Sequence, residues 1–112
     1  MIYKYQTPEQ TAFVDTEKET VHCMLYRKGF KCVCRSSFTF KETRRIIAWE
    51  NKRFPGQKVE ALPAHSFQSW QRGELTETVS REEMEKLLSA LPDFMELQKA
   101  QEWKEAYREY SS

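Results

Sequence analysis

Thr20-Val21-His22-Cys23-Met24-Leu25-Tyr26-Arg27, then Lys28-Gly29, then Phe30-Lys31-Cys32-Val33-Cys34-Arg35-Ser36, is the stretch whose reading decides the fold. β-Branched, aromatic and Cys residues fill both arms, and the Lys-Gly pair between them reads as a two-residue hairpin loop. Such a loop sets Arg27 opposite Phe30, Leu25 opposite Cys32 and Cys23 opposite Cys34. Val21, Cys23, Leu25, Phe30, Cys32 and Cys34 then share one face, expected to be core. His22, Met24, Tyr26, Lys31, Val33 and Arg35 share the other, which is mixed in character.

Working outward, Ala12-Phe13-Val14 supplies a third strand before the polar break at Asp15 to Glu19, so the centre of the chain reads as a three-stranded antiparallel meander. Ahead of it, Thr7-Pro8-Glu9-Gln10 has the pattern of one capped helical turn. After the meander, Thr39-x-x-Glu42 is a capping box, and neither Pro nor Gly follows until Pro55-Gly56. A helix from near Phe40 is predicted, with Phe40, Thr43, Ile46, Ile47 and Phe54 on its apolar arc. Lys41, Arg45, Ala48 and Lys52 line the opposite side, bordered by Trp49.

Val59 to Leu62 adds at most a short fourth strand, and Pro63 to Gly73 reads as a loop carrying Phe67 and Trp70. Ser80-x-x-Glu83 is a second capping box, with Val79 and Met84 placed as a hydrophobic staple and Met84, Leu87, Leu88 and Leu91 at helical spacing. Asp93-x-x-Glu96 caps a terminal helix toward Tyr110, with Trp103, Tyr107 and Tyr110 on one side and acids on the other. The expectation is an α+β domain in which three helices cover one face of the meander.

Length and composition agree with one folded domain spanning residues 1–112: apolar residues are 39%, charged residues 31%, and there are only three Gly and four Pro. No apolar run reaches the roughly 18 residues of a membrane span. The N-terminal residues lack the basic-then-apolar pattern of a secretory leader, which makes a cytoplasmic location the expectation.

The net charge of +1 conceals a polar distribution. Between Arg27 and Lys58 stand ten Lys or Arg and two Glu, a net of +8, while residues 59–112 carry a net of −5 and residues 1–26 a net of −2. The candidate contact surface is therefore the band of Lys28, Lys31, Arg35, Lys41, Arg45, Lys52 and Arg53, with Trp49 and Tyr26 as aromatic anchors. An acidic protein surface fits such a band, and so, as the alternative, does the phosphate backbone of DNA or RNA bound without sequence choice.

Three strands followed by Phe38-Thr39-x-Lys41-Glu42 and then Trp49 on a helix resembles the sheet-and-helix DNA-binding modules of the integrase arm-binding and plant AP2 type, over residues 11–52. The resemblance implies a sheet face that reads DNA. Met24 and Val33 stand on that face here, and the glycines and arginines that crowd the sheets of such modules are mostly missing.

Motifs that carry chemistry are scarce. Cys32-x-Cys34 with Cys23 and His65 is a set of the right types for zinc, yet it lacks the Cys-x-x-Cys knuckles of structural sites, and free thiols packed in the core are the expected reading. With His22 and His65 as the only histidines and no nucleophile elbow, zinc-protease or phosphate-loop motif, no enzyme and no cofactor are expected. The aromatic terminal helix is a second candidate surface, for core packing or for self-association.

Overall fold

A computed structural model describes residues 1–26 and 33–93 of the chain. Its elements are β1 (Ile2–Thr7), β2 (Gln10–Asp15), β3 (Thr20–Tyr26), β4 (Val33–Thr39), α1 (Phe40–Arg53), α2 (Leu62–Gln71), β5 (Thr78–Val79) and α3 (Arg81–Ser89). The five strands form one antiparallel sheet in the order β4-β3-β2-β1-β5. The fold is α+β as expected, but the sheet is larger than a three-stranded meander with one short addition.

The N-terminal correction has a simple cause. Thr7-Pro8-Glu9-Gln10 is not a helical turn: Thr7 pairs with Gln10, and Pro8-Glu9 form the two-residue loop of the β1–β2 hairpin. Proline's fixed φ and missing N–H suit a β-turn as well as a helix start, so the flanking residues decide. Here Ile2 to Thr7 and Gln10 to Asp15 pair along their whole length. The short extra strand is also elsewhere than expected, at Thr78–Val79 beside Ile2 and Tyr3 rather than at Val59 to Leu62.

Pro63 to Gly73 is helix, not loop. Pro63 sits in the first turn of α2, where its absent N–H removes nothing, and no side chain caps that end. The other end closes in a Schellman arrangement: Gly73 N–H donates to the Trp70 carbonyl at 2.9 Å and Glu74 N–H to that of Ser69 at 3.0 Å. Gly73 takes the positive φ of 72° that this motif requires. Phe67 and Trp70, assigned to this segment, project from α2 onto Phe40, with ring centroids 5.0 and 5.3 Å away.

Among the described residues the central hairpin keeps its predicted faces but not its predicted register. Leu25 lies opposite Cys34 and Cys23 opposite Ser36, two residues from the expected pairing. A two-residue slip leaves every side chain on its own face, so the apolar pattern does not distinguish the two registers. The far end of the ladder shows the one adopted, with Thr20 opposite Thr39 and Phe40 N–H donating to the Glu19 carbonyl at 2.9 Å as α1 begins.

Both sheet faces are buried, which corrects the expectation of helices on one side. Ala12, Val14, Val21 and Cys23 pack under Phe40 of α1 and Leu62 and Phe67 of α2. Ile2, Phe13 and Met24 pack under Met84 and Leu88 of α3. Strand β2 is thus the shared wall, with Ala12, Phe13, Val14 and Asp15 all at 0% exposure. The DNA-reading sheet face that the resemblance implies is not open at Met24, which lies beneath α3. Toward the 26–33 end of the sheet Leu25 is 40% exposed and Cys34 half-buried, so the predicted core face thins out there.

Both expected capping sequences mark real helix starts, the first as a full capping box and the second through the Ser80 N-cap bond. Thr39 Oγ1 accepts from Glu42 N–H at 3.1 Å while the Glu42 carboxylate accepts from Thr39 N–H at 3.4 Å. Ser80 Oγ accepts from Glu83 N–H at 3.1 Å. The terminal helix expected from Asp93 to Tyr110 lies outside the described residues, as does its proposed role in self-association. Among the described residues, no helix is long and apolar enough to cross a membrane.

Candidate functional site

The inward side of α1 fixes what its outward side presents. Phe40 and Thr43 are buried, Ile46 and Ile47 half-buried, and Thr43 Oγ1 donates to the Thr39 carbonyl at 2.8 Å. Glu50 ties the helix end to the start of α2 by accepting from Ala61 N–H at 3.1 Å. With those residues turned in, the helical period turns Lys41, Arg45, Trp49, Lys52 and Arg53 out, and all five are exposed. Arg44 is exposed as well but on the side toward α2, with its guanidinium carbon 5.8 Å from the Phe67 ring centroid.

Two features distinguish this face from an ordinary solvated one. Trp49 is 56% exposed and Phe54, at the C-terminal cap, 47% exposed, and the Arg53 guanidinium carbon lies 5.1 Å from the first ring and 5.9 Å from the second. In addition, Lys41, Arg44, Arg45, Lys52 and Arg53 form no ion pair among the described residues. Lys4, Arg72 and Arg81 each have a carboxylate partner, in Glu77, Glu74 and Asp15 with Glu17.

The rest of the predicted band does not assemble around α1 in the same way. Arg35 is half-buried on β4 and engaged: its Nε donates to the Leu91 carbonyl at 3.0 Å and its backbone N–H to that of Pro92 at 3.1 Å. It pins the segment after α3 to the sheet edge, where Arg35 and Asp93 form a parallel bridge. Lys28 and Lys31 lie outside the described residues, and so does the side chain of Tyr26.

The thiols and histidines are separated. Cys23 is buried, and burial pushes its thiol up to about 12, far from a reactive thiolate. Cys34 is two positions off its register, Cys32 lies outside the described residues, and His65 stands on α2 with its ring 5.3 Å from that of Tyr5. Among the described residues no group of three or more His, Cys, Asp or Glu is placed to hold a metal.

One polar constellation escaped the sequence reading. His22 Nδ1 and Ser37 Oγ are 2.7 Å apart on adjacent strands, and Asp15 lies near enough to act on His22 electrostatically. It is not a catalytic triad in form. The Asp15 oxygens are taken by the N–H groups of Glu17 and Lys18 and by both terminal nitrogens of Arg81, the latter at 2.7 and 3.1 Å. The correct hairpin register, placing His22 opposite Ser37, is the signal that finds this pair.

A groove of about 560 Å³ between the end of α1 and α2 is lined mainly by polar and charged residues, among them Asn51, Lys58, His65, Arg72 and Glu74, with Val59 as its apolar member. That lining is unlike the mostly apolar enclosure of small-molecule sites. Comparison of the chain with known protein families, curated proteins and solved structures returns no match.

Proposed function

We propose that the protein is a small non-enzymatic interaction or regulatory protein that docks on a protein partner with an acidic surface, through the outer face of α1. Supporting this is the one observation of four outward cations, Lys41, Arg45, Lys52 and Arg53, without ion-pair partners among the described residues, on the helix side that presents the exposed Trp49. Cations on one face steer an acidic partner and fix its approach, and Trp and Arg are among the residue types enriched at interface hot spots. Work in the cytoplasm is part of the proposal, since the buried Cys23 is a free thiol of a kind that stays reduced there.

Charge reversal tests the reading. Lys41→Glu with Arg45→Glu changes only exposed positions of a capped helix, so the melting temperature should stay close to that of the parent. The intact chain should capture a stoichiometric acidic protein from its host extract, and the double variant should lose it. Equal capture by both chains sinks the proposal. The same cations with Trp49 as a stacking platform also suit nucleic acid. Fluorescence anisotropy with mixed-sequence duplex DNA, single-stranded DNA and RNA at low and near-physiological salt separates the two. Binding with a steep salt slope would transfer the function to nucleic acid.

A further inference from the structure

We propose that Arg53, stacked against Trp49 and Phe54, is the specificity element of the docking face and receives one Asp or Glu carboxylate of the partner in the two-pronged geometry that a guanidinium provides. The inference rests on the reading of α1 as the docking face and names what that face recognises.

The geometry begins with spacing. Trp49 and Arg53 are four residues apart on α1 and therefore neighbours on its surface, with the guanidinium carbon 5.1 Å from the Trp49 ring centroid. Phe54 follows directly, at 5.9 Å. Its backbone is fixed on both sides: Phe54 N–H donates to the Glu50 carbonyl at 2.8 Å, and its own carbonyl accepts from Gln57 N–H at 3.2 Å. The second bond closes a turn with Pro55 and Gly56 at its centre, and Gly56 has the φ of +81° that such a turn demands at its third residue.

Stacking occupies the faces of a guanidinium and leaves its N–H edge available. Among the described residues Arg53 has no carboxylate within salt-bridge distance and donates no hydrogen bond, so that edge is uncommitted. A guanidinium already in contact with the Trp49 and Phe54 rings loses less freedom on binding than a free Lys or Arg, and the exposed rings offer apolar contact to whatever carries the acid. Carboxylates on a peptide fit better than the regular phosphate run of a nucleic acid. The outward cations fall in two groups, Lys41 with Arg45 and then Lys52 with Arg53, and the exposed acids Glu42 and Glu60 stand toward either end.

The test uses the full chain and a 20-residue poly-glutamate peptide as the carboxylate probe, with single-stranded DNA of mixed sequence and equal charge beside it. Affinities are read by anisotropy at low salt, and the Arg53 side-chain Nε–H resonance is followed by NMR. Arg53→Lys keeps the charge and removes the fork, and should weaken poly-glutamate binding about tenfold, nearly as much as Arg53→Ala. Lys86→Arg, on α3, serves as the control and should change it less than about twofold. The Arg53 Nε–H resonance should shift on titration.

The outcomes separate the two claims. If Lys41→Glu with Arg45→Glu abolishes poly-glutamate binding while Arg53→Lys binds like the parent, the docking face stands and the Arg53 receptor is overturned. If the parent chain ignores poly-glutamate at low salt, the docking reading itself falls, and the receptor with it. Tighter binding of the DNA than of the peptide, lost on the double reversal, overturns the carboxylate assignment.

Discussion

A fully buried carboxylate is tolerable only when donors surround it, and Asp15 has four, from the N–H groups of Glu17 and Lys18 and the two terminal nitrogens of Arg81. Burial pushes the Asp15 carboxyl up, but the Arg81 hydrogen bonds, the Lys18 N–H, the Arg81 charge and the Glu17 N–H together outweigh it and hold the group below its ordinary 3.8. The unfolded chain therefore takes up this proton first. The stabilisation is complete above pH 3.8 and disappears as pH falls through the lower folded value. His22 moves the same way for another reason: burial lowers it from 6.5, the Asp15 charge resists, and the Arg35, Arg81 and Lys18 charges assist. Its neutral form belongs to the folded state, so stability also begins to fall below pH 6.5 as the unfolded chain protonates. Urea midpoints from pH 2 to 8 should accordingly descend in two stages on acidification. Asp15→Asn should cost about 2–3 kcal/mol at neutral pH through lost charge-assisted hydrogen bonds and remove the lower stage, while His22→Gln should flatten the upper one. An Asp15→Asn curve running parallel to the parent throughout would contradict this account.

Each element owes its stability to a few positions, and α3 shows which. Met84 and Leu88 are buried against Ile2, Phe13 and Met24, whereas Leu87, on the same helix, is 40% exposed. Met84→Ala should cost about 2–4 kcal/mol by cavity formation, Ser80→Ala about 1 kcal/mol by loss of the cap, and Leu87→Ala within about 0.5 kcal/mol. Equal losses at Met84 and Leu87, measured by urea denaturation, would mean that α3 does not pack as described. The elements legible in the sequence are the ones whose ends are written in side chains. Thr39 with Glu42 and Ser80 with Glu83 satisfy free helix amides locally, so α1 and α3 are readable before any packing is known. The start of α2 has no side-chain cap and opens on a proline, so nothing local separates it from a loop, and burial of Leu62, Ala64 and Phe67 decides the matter. β1 escapes for a related reason, because Ile2-Tyr3-Lys4-Tyr5-Gln6 alternates weakly and gains its partners from β2 and β5. Register in the β3–β4 hairpin is invisible to an apolar pattern of period two.

At the scale of the molecule, proximity in sequence and proximity on the surface part company. The α1 portion of the basic band is legible because a capped helix converts spacing directly into a face. Arg35 belongs to the same run of charge yet spends its donors on Leu91 and Pro92, more than fifty residues away, a contact that only the tertiary fold supplies. The same fold couples its two cores. Ala12 and Val14 face α1 and α2 while Phe13 faces α3, so one strand carries the packing of both sides. Detaching α3 would expose Met84 and Leu88 together with Ile2, Phe13 and Met24. Five large apolar side chains at about 1.5–3 kcal/mol each come to the order of 10 kcal/mol, which equals the whole stability of a typical domain, about 5–15 kcal/mol. The α3 layer therefore should not open far below global unfolding. In native-state hydrogen exchange, Met84→Ala should lower the protection of the α2 amides, on the opposite face of the sheet, by the same free energy as it lowers that of the α3 amides. If the α3 amides lose protection while those of α2 keep theirs, the two faces are separate cooperative units, and β2 does not bind them into one.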